Sequence, residues 1–291
     1  MNGLLILDKP GGMTSHDVVT RVRRATGESS VGHLGTLDPM ATGVLPLLLG
    51  KYTRLAQFFG AAEKAYTGTI RFGFATDTYD AEGKAASEVQ AVALTLEQVR
   101  AAASRFHGEM EQMPPPFSAK KVDGKVAHRL ARAGEMPKLK PARITIAEFS
   151  IDSVDGDVAA FTMRVSAGGY VRSVAHEMGL ALGCGAHLAS LRRTAAGPFT
   201  LAGALSLEEM ESLASAGALE TRMPHPRTLL PEIPPVAGDE QTLGRLRNGM
   251  QVNLPEFSGA PLVKIFEGQR ELVAIGRRVA GTLFQPNVVL V

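Results

Sequence analysis

Gly32-His33-Leu34-Gly35-Thr36-Leu37-Asp38-Pro39-Met40-Ala41-Thr42-Gly43 is the stretch on which the reading of this chain turns. Its three glycines let the backbone approach a ligand or another segment closely. Asp38 precedes a proline, which biases it towards extended backbone, and its neighbours Leu37, Met40 and Ala41 are apolar. A carboxylate in such a loop can be a nucleophile, a general base, or an ordinary turn residue capping the next helix. An isolated Asp-Pro is most often a turn, and these residues alone leave all three roles open.

Working outward, residues 1–75 read as strand, helix, loop, helix, strand. Leu4–Leu7 is a short apolar run, and Thr14 or Ser15 can cap a helix whose Val18, Val19 and Val22 share one face. The glycine-rich loop from Gly27 to Gly43 comes next. Lys64–Phe74 places Tyr66, Ile70, Phe72 and Phe74 at even spacing, the pattern of a half-buried strand. Thr95 and Gln98 form a capping box ahead of the stripe Leu96, Val99, Ala103 and Phe106. Ile144–Val154 and Val158–Ser166 read as a hairpin around Asp155-Gly156-Asp157. A helix is expected near Ser173, and another capped by Ser206 and Glu209. Five prolines between Pro224 and Pro235 mark a boundary. Beyond it, Leu262–Phe266, Leu272–Ile275 and Val288–Val291 are short strand candidates. The pattern predicts an α+β catalytic domain followed by a small β-rich domain.

The chain has 291 residues, 45% of them hydrophobic and 21% charged, an ordinary globular composition. Its one cysteine, Cys184, suits a reducing compartment. The first residues lack a signal-peptide pattern and no apolar run is long enough to cross a bilayer, so a soluble, cytoplasmic protein without membrane association is expected. The net charge of +2 is unevenly spread. Between Ser118 and Arg143 eight basic residues face two acidic ones, a local +6 that leaves −4 for the remainder. Such a patch suits either a polyanion site or a solvated surface. Prolines 114–116, 137 and 141 bracket it like an insertion between core elements.

Several chemistries fail on spacing. Gly43 and Gly50-Lys51 are separated by six residues rather than the four of a phosphate-cradling loop, and Tyr52 comes after the lysine. His176-Glu177 is followed by Leu180 where a zinc-protease helix needs a second histidine. Asp77, Asp80 and Gly83 lack a calcium loop's alternating ligands, and Cys184 with His187 supplies only two zinc ligands. No metal or cofactor is expected.

The Gly32–Gly43 segment resembles the Gly-His-x-Gly-Thr-Leu-Asp-Pro-x-Ala-x-Gly motif of the bacterial tRNA pseudouridine-55 synthases, the TruB family. Leu7-Asp8-Lys9-Pro10-x-Gly12-x-Thr14-Ser15 is similar to that family's N-terminal motif. Pro115-Pro116-x-Ser118-Ala119-x-Lys121 with Gly124, then Ala131-Arg132-x-Gly134, resembles its thumb insertion. Gly169-Tyr170-Val171-Arg172, Leu182–His187 and Leu191-Arg192-Arg193-Thr194 resemble its third motif block, and Ala274-Ile275-Gly276 its C-terminal module.

The resemblance implies a mixed or antiparallel-sheet pseudouridine synthase domain over 1–235, with a thumb at about 112–142, and a PUA-like RNA-binding domain over 236–291. It makes Asp38 the nucleophile and Arg172 its partner. Tyr66 becomes the residue that stacks on the base and takes the proton from carbon 5. Tyr170 and Leu191 would line the uracil pocket, and His33 would fill the gap left by the flipped base. Lys9, Lys121 and Arg132 become RNA contacts or loop braces. The implied partner is the T arm of tRNA, with no protein partner required and a monomer expected. His128 stands where the thumb often has tyrosine, Leu34 where a polar residue is frequent, and Ala167-Gly168-Gly169 replaces a more polar run. Two competing readings are a non-catalytic RNA-binding or tRNA-folding chaperone, and a carboxylate-dependent hydrolase with Asp77 or Asp80 as a second acid.

Overall fold

A computed structural model describes all residues except Ala119, Asp123 and Val291, and the side chains of all the rest except Lys121, Val122, His128 and Arg132. The opening apolar run forms β1 (Gly3–Lys9), almost wholly buried. Thr14 caps α1 (Ser15–Thr26) through a capping box with Asp17, and Gly27 ends it in left-handed backbone at φ 68°. Val18, Val19 and Val22 are buried, as their spacing requires.

The stretch expected to be loop from Gly27 to Gly43 contains β2 (Val31–His33) and runs into β3 (Thr42–Leu49), which corrects that expectation. The strand β3 is buried on both faces, so it shows no alternation, and Pro46 within it is a strand-breaking signal. The helix expected next shrinks to a 3₁₀ stretch (Gly50–Leu55) and one turn, α2 (Ala56–Phe59). β4 (Lys64–Phe72) and α3 (Leu96–Ala103) then form as expected, α3 behind its Thr95–Gln98 box.

The rest of this unit comprises β5 (Gly108–Gln112), β6 (Lys121–Val122), β7 (Lys125–Val126), α4 (Ala127–Arg132), β8 (Ala142–Asp155), β9 (Val158–Val165), α5 (Val171–Ala181), β10 (Ala186–Ala196), β11 (Phe199–Thr200) and α6 (Leu207–Ser215). Seven strands run in the order β1-β3-β10-β4-β9-β8-β5, with β2 beside β3 and β11 beside β10. The β3–β10 pair is parallel, which makes the sheet mixed. Sequence patterning missed β10: two register shifts and the polar run Ser190, Arg192, Arg193, Thr194 break its period. It nevertheless lies in mid-sheet and carries a motif block to the edge of the glycine-rich loop, with Arg193 opposite Gly43.

The C-terminal sheet holds β12 (Pro235–Ala237), β13 (Val252–Asn253), β14 (Leu262–Glu267), β15 (Glu271–Ala280) and β16 (Leu283–Val289), with α7 (Glu240–Arg247) alongside. Its order is β12-β14-β15-β16-β13. The last strand is displaced from the expected Val288–Val291 because Pro286 hides its start, and Val291 lies outside the described residues. One apolar cluster crosses the junction, joining Leu4, Ile6 and Leu55 to Ile233, Phe266 and Leu290. Beside it Lys264, only 1% exposed, donates to the carbonyls of Arg227 (2.9 Å), Leu229 (2.6 Å) and Leu230 (3.1 Å). Lys264→Met fills the space but leaves three carbonyls unpaired, so we expect a loss of about 2–4 kcal/mol in urea unfolding. A loss below about 0.5 kcal/mol, the level of a surface substitution, would contradict this latch.

Candidate active site

The loop that carries Asp38 is held from beneath by buried cations. Lys9, with 0% exposure, donates to the carbonyls of Pro10 (2.8 Å), Met13 (2.5 Å) and Pro39 (3.1 Å). All three of its hydrogens are thereby used, so of its two proposed uses the geometry supports the brace, not the RNA contact. Burial pulls its ammonium down to about 8, against the opposing pull of Asp38. Arg193, 1% exposed, donates to Val44 (2.7 Å), Gly35 (3.1 Å) and Thr36 (3.4 Å) carbonyls. Glycine is required at position 43: φ is 104°, and a Cβ there would lie 2.2 Å from the Arg193 carbonyl oxygen. Ser15 Oγ both accepts from Leu37 N (2.8 Å) and donates to Leu37 O (3.1 Å). Three separated motifs thus converge on one turn.

The turn itself closes through backbone, with Ala41 N donating to Asp38 O at 3.1 Å. The Asp38 carboxylate is therefore not consumed in capping its own turn. It faces Arg172, whose Nη2 donates to Oδ1 at 3.0 Å while Nε lies 2.9 Å from Oδ2, a charge contact outside hydrogen-bonding alignment. Burial pushes the Asp38 carboxyl above its ordinary value, and the Arg172 guanidinium opposes that shift by favouring the charged form. About a third of the carboxylate side chain (30%) stays open, against 6% for Arg172.

Arg172 stands in the first turn of α5. Gln112, at the end of β5, pins the residue before that helix: its side chain accepts from Tyr170 N (2.8 Å) and donates to Tyr170 O (3.0 Å). The guanidinium also donates to Thr78 O (Nη1, 3.0 Å) and Phe117 O (Nη2, 2.9 Å), and Nη1 lies 3.4 Å from Asp80 Oδ2. Asp80 is itself locked, accepting from Thr78 Oγ1 (2.6 Å) and Glu82 N (3.1 Å). One arginine therefore lies between two carboxylates, one buried and one open. Asp80 is no free acid, and Asp77 accepts from Lys84 N at 2.8 Å, so neither is poised to protonate a leaving group as the hydrolase reading requires.

Tyr66 on β4 pairs with Arg193 on β10, and Leu191 lies two residues before Arg193 on the same strand. Both Tyr66 and Leu191 are 8% exposed. Burial pushes the Tyr66 phenol up, and the adjacent Arg193 pulls it down. The Tyr170 phenol is likewise pushed up by burial, and Arg172 acts against the shift. His33 closes β2, half-buried, its imidazole pulled down by burial and by Arg193. Asp38 thus meets Arg172 directly, Tyr170 immediately precedes the helix that carries Arg172, Tyr66 and Leu191 lie on the paired strands β4 and β10, and His33 closes β2 ahead of the Asp38 turn. The side chains of Lys121 and Arg132 lie outside the described residues.

Sequence reasoning gave no site role to Arg193, Gln112 or Thr78, and weighed Asp80 only as a calcium ligand, which spacing excluded, or as a second acid. The signals available were the adjacent pair Arg192-Arg193 behind Leu191 in the third motif block and the oxygen-rich run Thr76–Asp80. Gln112 carries no signal at all.

The fold is similar to that of a chain solved in a Cbf5-Nop10-Gar1 complex, with a TM-score of 0.73 over 99% of this chain and 85% of that one at 25% identity. An archaeal box H/ACA sRNP Nop10-Cbf5 complex matches at a TM-score of 0.70, covering 99% and 86% at 25% identity. Residues 23–171 match the family described as TruB family pseudouridylate synthase (N terminal domain), and 172–231 the tRNA pseudouridylate synthase B C-terminal domain. Fold and site together define a pseudouridine synthase. The tRNA pseudouridine synthase B of Solibacter usitatus is 45% identical over 100% of both chains. Those of Cupriavidus metallidurans (40%, covering 97% and 92%) and Aquifex aeolicus (39%, covering 97% and 98%) are similar over nearly their full lengths. This chain belongs to the TruB family of pseudouridylate synthases. Among the described residues no helix is long and apolar enough to cross a membrane.

Proposed function

We propose that this enzyme converts uridine 55 in the T arm of tRNA to pseudouridine, with Asp38 as the nucleophile. The observation that carries the reading is the partly open Asp38 carboxylate, left free by its own turn and held by Arg172. Isomerisation breaks the bond from the sugar carbon to N1 of uracil, turns the base, and rejoins the sugar carbon to carbon 5. The carbon 5 proton is lost and N1 gains one, so atoms balance with no change in oxidation state. A covalent bond from Asp38 to the base or the sugar carbon divides this into easier steps. Tyr66 offers a ring face to the uracil; to take the carbon 5 proton its phenol must first ionise, which burial opposes and the neighbouring Arg193 favours. Tyr170 and Leu191 wall the pocket.

A stacked base is out of reach, so the nucleotide is extruded at a cost of a few kcal/mol, and His33 fills the vacated space. The insertion over about 112–142 is tied to this centre through Gln112, Met113 and Phe117, which bond Tyr170, Ser173 and Arg172. That linkage supports a thumb that closes on the T loop, with residues 236–291 a second, PUA-like RNA contact. The enzyme acts as a cytoplasmic monomer in this account. Binding alone requires no buried arginine between two carboxylates, which disfavours the chaperone as the sole role.

An isolated T-arm stem-loop carrying uridine at 55 should be converted, and an anticodon stem-loop should not; equal conversion of both would remove T-arm specificity. The basic insertion gives a second expectation. Replacing Lys120, Lys125 and Arg129 together with alanine should weaken tRNA binding and lower the slope of log K against log salt by about 2–3. The single-turnover rate at saturating enzyme should be preserved. An unchanged salt slope would move the phosphate contacts elsewhere.

A further inference from the structure

Tyr79 has φ 66°, one of two non-glycine residues with positive φ among the described residues. Left-handed backbone is uncommon for a residue with a Cβ, and a bulky residue there is held by its surroundings. Its ring lies flat on His176, with centroids 3.8 Å apart and planes 6° from parallel. His176 stands four residues after Arg172 on α5, one turn along the same face. Tyr79 O accepts from Leu188 N at 3.0 Å, which ties the strained residue to β10. Its two chain neighbours both serve Arg172: Thr78 O accepts from Nη1 at 3.0 Å, and Asp80 Oδ2 lies 3.4 Å from the same nitrogen. The backbone angle at Tyr79 therefore sets how the carbonyl before it and the carboxylate after it converge on one guanidinium nitrogen.

We infer that Tyr79, clamped against His176, is a positioning residue that fixes Arg172, and through it the direction of the Asp38 carboxylate. The inference rests on the proposed roles of Asp38 and Arg172. Among the described residues the buried His176 Nδ1 has no hydrogen-bond partner, and the stack on Tyr79 is the contact that orients this imidazole. No hydrogen bond from the Tyr79 hydroxyl is found among the described residues, so the stacked face, not the phenol oxygen, does the holding. Removing either ring frees the loop to relax from its left-handed turn, and two of the partners of Arg172 move with it. Substrate contacts are untouched, so the defect should lie in the chemical step.

The test is single-turnover pseudouridine formation at saturating enzyme, measured beside equilibrium tRNA binding, with Arg172→Lys as reference. Tyr79→Ala and His176→Ala should each slow the chemical step about tenfold or more while tRNA affinity changes less than about twofold. Tyr79→Phe and His176→Phe keep the stack and should stay within about twofold of the starting rate. The double alanine variant should be no slower than the worse single one, because both act through one contact. Tyr79→Gly removes the ring and also relieves the backbone, so it should fold readily and still be slow. A normal rate for Tyr79→Gly alongside a slow Arg172→Lys overturns the inference and leaves the active-site reading standing. Phenylalanine variants as slow as the alanine ones also overturn it. A normal rate for Arg172→Lys sinks the reading beneath it.

Discussion

Asp38→Asn should abolish pseudouridine formation, a loss on the order of 10⁴-fold or more in single turnover, while tRNA binds as before. The amide keeps the size of the carboxylate and can still accept from Arg172 Nη2, which lies 3.0 Å from Oδ1. The charge and the nucleophilic oxygen disappear. The fold should tolerate the change, because the turn closes through Ala41 N and the braces from Lys9 and Arg193 all end on backbone carbonyls. Arg172 also keeps Asp80 and two carbonyl partners, so no unpaired buried charge is created. A near-normal rate for this variant would contradict the assignment of Asp38 as nucleophile.

Arg172→Lys should also slow the chemistry severely, although it conserves charge. An ammonium cannot reach both Asp38 oxygens, Asp80 and the carbonyls of Thr78 and Phe117 at once, as the planar guanidinium does. We expect the chemical step to fall about 10²-fold or more, with tRNA affinity altered about twofold at most. Stability should drop by about 2–4 kcal/mol, since buried acceptors lose their donor. A phosphate-binding arginine would behave the other way round: lysine would replace it largely, and the defect would appear as weaker, more salt-sensitive binding. Normal single-turnover kinetics with weakened binding would assign Arg172 to the RNA surface.

The parts of this architecture that were readable in the chain are those encoded locally. The capping boxes at Thr14, Thr95 and Ser206 set three helix starts, and the stripe Val18, Val19, Val22 named the buried face. The hairpin of β8 and β9 was legible from alternation around Gly156. The strands β3 and β10 were hidden because one is buried on both faces and the other is bulged and polar. Asp38 and Arg172 are 134 positions apart, and no local pattern joins them; motif resemblance did. Lys9, Arg193 and Lys264 reverse the usual expectation that such residues face water, because each meets enough backbone carbonyls to be buried. The left-handed turn at Tyr79 has no signature in residue type at all, since tyrosine is a poor choice for it.

The proposed activity is the formation of pseudouridine at one T-loop uridine through Asp38. Its most direct test is incubation with an unmodified full-length tRNA transcript, followed by carbodiimide mapping of pseudouridine. One new modification is expected, at position 55, absent with Asp38→Asn and absent when position 55 is cytidine. Modification only at other positions, persistence with Asp38→Asn, or release of free uracil would contradict it.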